Sequence, residues 1–160
     1  DDATGSGRVS STRIRGLLAE GRVREAGELL GRAPLLRSVV VEGRRVGREL
    51  GYPTANLDPV RMEGLIPADG VYACWARVDG LLAGAAVSIG DNPTFEGVPQ
   101  HQVEAYLLDQ DVDLYGRTIE LRFMEYVRPM RRFEGMEELM VALREDEATV
   151  RRLLGVDVFD

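Results

Sequence analysis

The stretch GRELGYPTANL, residues 47–57, concentrates side chains that bind ligands rather than fill a core. Thr54 and Asn56 follow Pro53 and lie two positions apart, so on an extended segment they project to the same side. A hydroxyl and an amide carbonyl would then face one ligand. Neutral oxygens of this kind suit a Mg²⁺ ion that keeps several waters and takes its other ligands from nucleotide phosphates. A loop closed by Asx and ST turns uses the same residue types and is the alternative for this stretch.

Upstream of this stretch, Gly43 and Gly47 bracket a group of arginines, and Arg48 follows directly. Glycine allows the backbone to approach a ligand closely, and the arginine guanidinium binds phosphate bidentately. The chain has no lysine, because all 20 of its basic residues are arginine. The P-loop and the protein-kinase strand motif both require a lysine and are therefore excluded. Any phosphate must be bound by arginine and by backbone N–H groups.

Glu104 stands in the middle of a strand-like stretch, HQVEAYLLD. Alternation places Val103, Ala105 and Leu107 on one face and Glu104 with Tyr106 on the other, and both faces are partly apolar. A carboxylate in such surroundings is paired or functional, unless it lies at a solvent-facing edge. If the carboxylate of Glu104 is functional, we expect it to be a general base.

Two further stretches combine turn residues with polar side chains. SIGDNPTF predicts a turn at residues 90–93, after an apolar strand. YVRPMRRF places Arg128 and Phe133 on either side of a proline, just before a predicted helix. A planar aromatic ligand could stack there, although arginines before a helix are as often simply solvated.

The elements that must position these residues are short. Residues 10–31 carry two helical patterns and predict a helical hairpin of about 20 residues, which is too small to have its own core. After Pro34, five or six β-rich stretches at short spacing predict a small antiparallel barrel or sandwich. The tail from residue 133 to 155 predicts one helix packed on the outside of that sheet. Its apolar stripe comprises Met136, Leu139, Met140, Leu143, Val150 and Leu154.

Composition excludes several classes of function. The net charge of −7 argues against general nucleic-acid binding, which needs a basic face. One cysteine and one histidine cannot supply a disulfide framework or a thiolate-rich zinc site. No apolar run approaches the roughly 18 residues that a membrane span needs. We therefore expect a cytoplasmic protein with no nucleic-acid and no membrane partner.

Taken together and in order, these stretches resemble the riboflavin kinase family over about residues 35–155. The motifs that carry the resemblance are GREL-GYPTANL, PADGVYA, SIGDNPTF, VEAYLLD, DLYGRTIE and VRPMRRFEGMEEL. The resemblance implies a mainly β fold, a six-stranded antiparallel Greek-key β-barrel with a C-terminal α-helix. It also implies that the protein is an enzyme that converts riboflavin and ATP into FMN and ADP.

On the nucleotide side, the resemblance implies roles for five residues. Thr54 and Asn56 match the family's PTAN residues, which hold Mg²⁺ together with ATP as co-substrate. Gly43, Gly47 and Arg48 match a glycine-rich flap over the phosphates.

On the flavin side, Glu104 matches the family's proposed base, which deprotonates the ribityl 5′-hydroxyl. Arg128 and Phe133 match a segment that borders the flavin. Glu42 and Tyr106 stand where this family frequently has a basic residue and a histidine, respectively.

The resemblance also predicts a domain organisation. In bacteria this domain is usually fused to an FMN adenylyltransferase module in a bifunctional riboflavin kinase/FAD synthetase. Residues 1–33 are then a flexible N-terminus plus a helical remnant of that module, and residues 34–160 are the kinase domain. The histidine-containing nucleotide motif of the module is absent, so FAD synthetase activity is not expected. The alternatives are a catalytically silent flavin- or nucleotide-binding regulatory module and, disfavoured by charge, a barrel that docks on nucleic acid or another protein.

Overall fold

The computed structural model describes residues 10–41, 54–93 and 99–156, and at residues 91–93 and 99–101 it describes the backbone alone. The helices of this part are α1 (Ser11–Ala19), α2 (Val23–Leu30) and α3 (Met136–Leu154). The strands are β1 (Leu35–Val41), β2 (Thr54–Leu57), β3 (Gly70–Val78), β4 (Leu81–Pro93), β5 (Pro99–Leu107) and β6 (Thr118–Arg128).

The strands close into a barrel in the order β1-β2-β5-β4-β3-β6, and each neighbouring pair is antiparallel. β3, β4 and β5 pair consecutively, while β6 returns to lie beside β3, which is the Greek-key arrangement. The predicted six-stranded antiparallel barrel, with a helical hairpin before it and a helix after it, is therefore confirmed. The sandwich alternative is excluded because β1 and β6 pair and close the sheet.

The barrel interior is formed by alternate residues of every strand. On β5, Val103, Ala105 and Leu107 are buried in the central hydrophobic cluster, as the alternation predicted. Tyr72 and Phe123 belong to this cluster, and their rings pack edge to face at 5.3 Å between centroids. Because successive side chains of a strand point to opposite faces, the polar residues between these positions project from the outer face.

The helical hairpin closes one end of the barrel. Its buried side chains, Ile14, Leu18, Val23 and Ala26, belong to the same hydrophobic cluster as the barrel interior. The backbone N–H of Ala68 donates to the carbonyl of Leu18 at 2.9 Å and ties the hairpin to the segment that enters β3. The hairpin therefore has no core of its own and shares the core of the barrel, as its size predicted.

The apolar stripe predicted from the sequence accounts for only part of the buried face of α3. Val150 is buried against Ala73 and Leu108 on the outer face of the barrel, but Met136 is 49% exposed. The buried face instead carries two charged residues, Asp146 and Arg151. None of the helices in the described part of the chain is long and apolar enough to cross a membrane.

Two ion pairs attach α3 to the strands. Arg128 at the end of β6 donates to both carboxylate oxygens of Asp146, each at 2.7 Å. Arg151 donates to both carboxylate oxygens of Asp109, just after β5, at 2.5 and 3.1 Å, and to Glu147 at 2.8 Å. Bidentate arginine–carboxylate pairs fix orientation as well as distance, so the helix is held at both β5 and β6.

The predicted turn at residues 90–93 is wrong. β4 continues to Pro93 and pairs with β5 throughout, with Gly90 opposite Gln102 and Pro93 opposite Pro99. Glycine, aspartate, asparagine and proline favour turns locally, but pairing with a neighbouring strand can override local preference. Proline is tolerated here because it stands at the last position of the strand.

We expect Asp109→Asn to lower the free energy of unfolding by about 1 kcal/mol, because it removes the carboxylate from a partly exposed ion pair. Hydrogen bonding to Arg151 holds the pKa of Asp109 below its usual value. A depressed folded-state pKa stabilises the protein above the unfolded pKa of about 4, and that stabilisation is lost as the pH falls through the folded value. The difference in Tm between wild type and variant should therefore be full at pH 6–7 and shrink below about pH 4.

Asp111→Asn is the matched control, because Asp111 lies in the same exposed loop and has no ion pair among the described residues. Thermal unfolding of both variants across this pH range measures the effect. An Asp109→Asn variant that unfolds at the same temperature as Asp111→Asn at neutral pH would show that the pair contributes nothing to stability.

Candidate active site

Glu104 lies in a row of residues that crosses the outer face of the barrel. On β5 it is paired with Asn56 of β2 on one side and with Ser88 of β4 on the other. Beyond Ser88, the row continues to Val71 on β3 and to Arg128 at the end of β6. Residues that are 16 to 57 positions apart in sequence are thus brought to adjacent strands, about 4.8 Å apart.

The Glu104 carboxylate is held by a hydrogen bond from β2. Thr54 Oγ1 donates to Glu104 Oε2 at 2.7 Å. Thr54 is the first residue of β2, and between Thr54 and Asn56 the side chain of Ala55 turns into the barrel interior. Thr54 and Asn56 therefore share the outer face, as their spacing predicted, and both lie beside Glu104.

The side chain of Asn56 is buried without a protein partner in the described part of the chain. Asn56 is only 9% exposed, yet no hydrogen bond to its amide is found within residues 10–41, 54–93 and 99–156. An unpaired buried polar group costs roughly 1–3 kcal/mol, so native proteins seldom leave one without a purpose. The amide oxygen of Asn56 and the lone pairs of Thr54 Oγ1 are neutral oxygens, which fit a hard cation such as Mg²⁺.

Arg128 and Phe133 lie at the far end of the row, near the start of α3. The Arg128 guanidinium, engaged with Asp146, is 5.9 Å from the centroid of the Phe133 ring, and that of Arg131 is 5.0 Å from it. Met130 packs over Gly90 of β4, where an added Cβ would lie 3.3 Å from the Met130 side chain. The segment after β6 therefore lies across β4, next to the row that contains Ser88 and Glu104.

The structure brings Thr54, Asn56 and Glu104 together and places Arg128 and Phe133 beside each other. The predicted flap residues, Gly43, Gly47 and Arg48, lie outside the described residues, as does Glu42. Two polar residues, one in the row and one on α3 beside its Arg128 end, were not singled out from the sequence as site candidates. Ser88 and Asp146 have common residue types, and only strand pairing and helix packing give them their neighbours.

The chain was compared with models of protein families. Residues 30–154 match the model described as Flavokinase: Riboflavin kinase. The chain belongs to the riboflavin kinase family. The match includes all six strands, the whole row and the whole of α3.

Relatives of this riboflavin kinase family member include a bifunctional riboflavin kinase/FMN adenylyltransferase from Escherichia coli strain K12. It is 40% identical over 156 residues, which is 95% of this chain and 48% of the relative. The chain spans about half the length of the curated relatives that it matches.

Two solved structures resemble this riboflavin kinase family member. One is described as a macrolide-efflux protein from Streptococcus pneumoniae, with a TM-score of 0.81 and 37% identity over 90% of this chain and 47% of that one. We do not extend that description to this chain, because the likeness concerns less than half of that protein. The other is riboflavin kinase from Trypanosoma brucei, with a TM-score of 0.54 and 23% identity over 79% of this chain and 80% of that one. The second likeness shows the fold alone.

We expect Asn56→Leu to raise the free energy of unfolding of the ligand-free protein by roughly 1 kcal/mol, because it replaces a buried amide that has no partner in the described part of the chain with an apolar side chain of similar size. Thermal or urea unfolding without added ligand measures the change.

Ser38→Ala is the matched comparison at a buried polar residue that does have a partner. Ser38 is 3% exposed, and its hydroxyl donates to the carbonyl of Asp58 at 2.7 Å. This substitution should lower stability by about 1–2 kcal/mol, because it leaves that carbonyl unpaired. A loss of stability in both variants would show that the Asn56 amide has a structural partner.

Proposed function

We propose that this chain transfers the terminal phosphate of ATP to the ribityl 5′-hydroxyl of riboflavin and so makes FMN. One observation carries the proposal. In a member of the riboflavin kinase family, the Glu104 carboxylate is fixed by Thr54 next to the buried amide of Asn56, which has no partner among the described residues. A base and a site for a nucleotide-bound cation therefore lie side by side on one face of the barrel.

Glu104 is the general base in this proposal. Thr54 occupies Oε2, which leaves Oε1 available to accept the proton of the substrate hydroxyl. As the proton moves to Glu104, the hydroxyl oxygen bonds to the γ-phosphorus of ATP, and the bond to the bridging oxygen breaks to release ADP. Phosphoryl transfer depends mainly on positioning and charge stabilisation, and a positioned base contributes typically ~10²–10⁴-fold.

Thr54 and Asn56 would hold Mg²⁺ together with the phosphates of ATP. When bound, the ion offsets the negative charge that the phosphates carry in the transition state. Gly43, Gly47 and Arg48 would cover the phosphates from the segment that leads into β2. The Thr54 hydroxyl has two roles here, since it donates its proton to Glu104 and keeps its lone pairs for the cation.

Arg128 and Phe133 would border the flavin ring at the other end of the row. The Phe133 ring offers a stacking surface. Arg128 uses its Nε and one terminal nitrogen on Asp146 and the other terminal nitrogen on the carbonyl of Pro129. We therefore propose that Arg128 borders the flavin mainly by holding the segment that carries Phe133 against α3.

The domain organisation is part of the proposal. Residues 34–160 would form the riboflavin kinase domain, and residues 1–33, of which residues 1–9 lie outside the described part of the chain, would include a helical part of an FMN adenylyltransferase module. The family match begins at residue 30, the last residue of α2, which supports a boundary close to this position. The whole protein would then act in the cytoplasm on riboflavin, FMN, ATP and ADP, fused to an adenylyltransferase module and without nucleic-acid or membrane partners.

Glu104→Gln should lower kcat for FMN formation by ~10²-fold or more and change the affinity for riboflavin and Mg–ATP much less. The substitution keeps the shape of the side chain and a hydrogen-bond acceptor for Thr54 but removes the basic carboxylate. FMN is separated by chromatography, riboflavin binding is followed by fluorescence quenching, and nucleotide binding is followed by calorimetry.

Glu120→Gln is the matched control, because Glu120 lies on β6 and pairs with Arg37, away from the row. It should leave turnover within about twofold. Asn56→Ala should instead weaken Mg–ATP binding along with turnover. Near-normal turnover by Glu104→Gln would show that Glu104 has a structural role. If the wild-type protein binds flavin but makes no FMN, the chain is a catalytically silent regulatory module.

The chain should form no FAD from FMN and ATP. The second activity named for the bifunctional relatives belongs to proteins about twice as long, and this chain has no histidine-containing nucleotide motif. Chromatography of reactions with FMN, ATP and Mg²⁺ checks this, with the full-length E. coli relative as the positive control. FAD formation by the purified chain would overturn the proposed domain organisation.

A further inference from the structure

We propose that Ser88 binds a secondary hydroxyl of the acceptor's polyol chain and so helps to select a flavin that carries a ribityl group. The inference rests on the proposed function, because it concerns the same acceptor. Ser88 stands in the SIGDNPTF stretch, for which residue types alone indicated only a strand and a turn.

The register places Ser88 next to the base. Ser88 on β4 is directly opposite Glu104 on β5, while Asn56 on β2 is opposite Glu104 on its other side. Directly opposite residues of an antiparallel pair have Cβ atoms about 4.5–5.5 Å apart. Glu104 therefore has a neighbour on each side, with the nucleotide–cation residue Asn56 towards β2 and Ser88 towards the proposed flavin end.

The Ser88 hydroxyl is available for a ligand. The neighbouring residues Val87 and Ile89 are buried in the barrel interior, so Ser88 projects from the outer face, where it is half-buried. Within residues 10–41, 54–93 and 99–156, no hydrogen bond of its hydroxyl to another group is found. The residues two positions away on the same face, Ala86 and Gly90, are small and apolar, so the Ser88 hydroxyl is the polar group of this part of β4.

The row runs from the base towards the proposed flavin border, and Val71 within it is only 3% exposed. The base lies on β5, Ser88 on β4, Val71 on β3 and Arg128 at the end of β6. A flavin ring near Arg128 and Phe133, with its terminal hydroxyl at Glu104, would extend its polyol chain over Ser88. One strand spacing, about 4.8 Å, separates Ser88 from Glu104. A secondary hydroxyl of the chain, close to the terminal hydroxyl that is phosphorylated, would then lie within hydrogen-bonding reach of Ser88.

The test compares two flavins that share the ring and the terminal hydroxyl. Riboflavin has secondary hydroxyls along its chain, and a hydroxypentyl flavin lacks them. Ser88→Ala should weaken riboflavin binding and lower kcat/KM for riboflavin on the order of 10-fold, as expected for one lost hydrogen bond in a desolvated site. It should leave the Kd of the hydroxypentyl flavin unchanged, so that the preference for riboflavin falls by the same factor.

Two further variants separate recognition from folding. Ser88→Thr keeps the hydroxyl and should keep the preference for riboflavin. Ser38→Ala, the buried serine of β1, should alter the affinity for both flavins equally or not at all. If Ser88→Ala does not fold, Ser88→Cys has nearly the same size and a much weaker hydrogen-bonding group, and it should show the same loss of preference.

The outcomes distinguish this inference from the proposed function. Wild-type protein that makes no FMN from riboflavin would overturn the proposed function itself. If the wild-type protein makes FMN but the Ser88 variants weaken the binding of both flavins equally, or of neither, only the role of Ser88 is overturned. The role of Ser88 is supported if Ser88→Ala loses affinity for riboflavin alone and Ser88→Thr keeps the preference for riboflavin.

Discussion

The register of β5 between β2 and β4 is the constraint on which the site depends. Val103, Ala105 and Leu107 point into the barrel, so Glu104 points outwards between Asn56 and Ser88. A shift of one residue would turn the whole set over and place the carboxylate in the apolar interior. The hydrophobic alternation of β5 therefore selects both the core and the face that carries the proposed site.

Helix α3 holds the end of β5 and the end of β6 in fixed positions relative to each other. Arg151 pairs with Asp109 just after β5, and Arg128 pairs with Asp146 from the end of β6. Both pairs are partly buried, and burying charge is costly unless geometry and hydrogen bonding are good. The bidentate geometry of both pairs meets that condition and gives a defined orientation in return. The proposed base and the proposed flavin border are thereby held by one helix.

The buried polar residues of the barrel fall into two kinds. Ser38 is paired with a backbone carbonyl and stabilises the junction after β2. Asn56 is buried without a partner among the described residues, next to a carboxylate that Thr54 holds in place. Such an arrangement costs stability and is typical of a site that a ligand completes, since selection for activity accepts a local loss of stability.

The sequence by itself determined the class of fold and the proposed chemistry. Alternation on β5 predicted the two faces of that strand, and six motifs in order, the PTAN and Glu104 stretches among them, carried the resemblance to the riboflavin kinase family. The residue types of positions 90–93 predicted a turn, but these residues form a strand because they pair with β5. The buried face of α3 includes Asp146 and Arg151, which no hydrophobic pattern could predict, because their burial depends on Arg128 and Asp109.

Only the tertiary structure decided that Ser88 lies beside Glu104. Side-chain chemistry and periodicity are local properties of a sequence, whereas register and helix docking are set by the partner elements far along the chain.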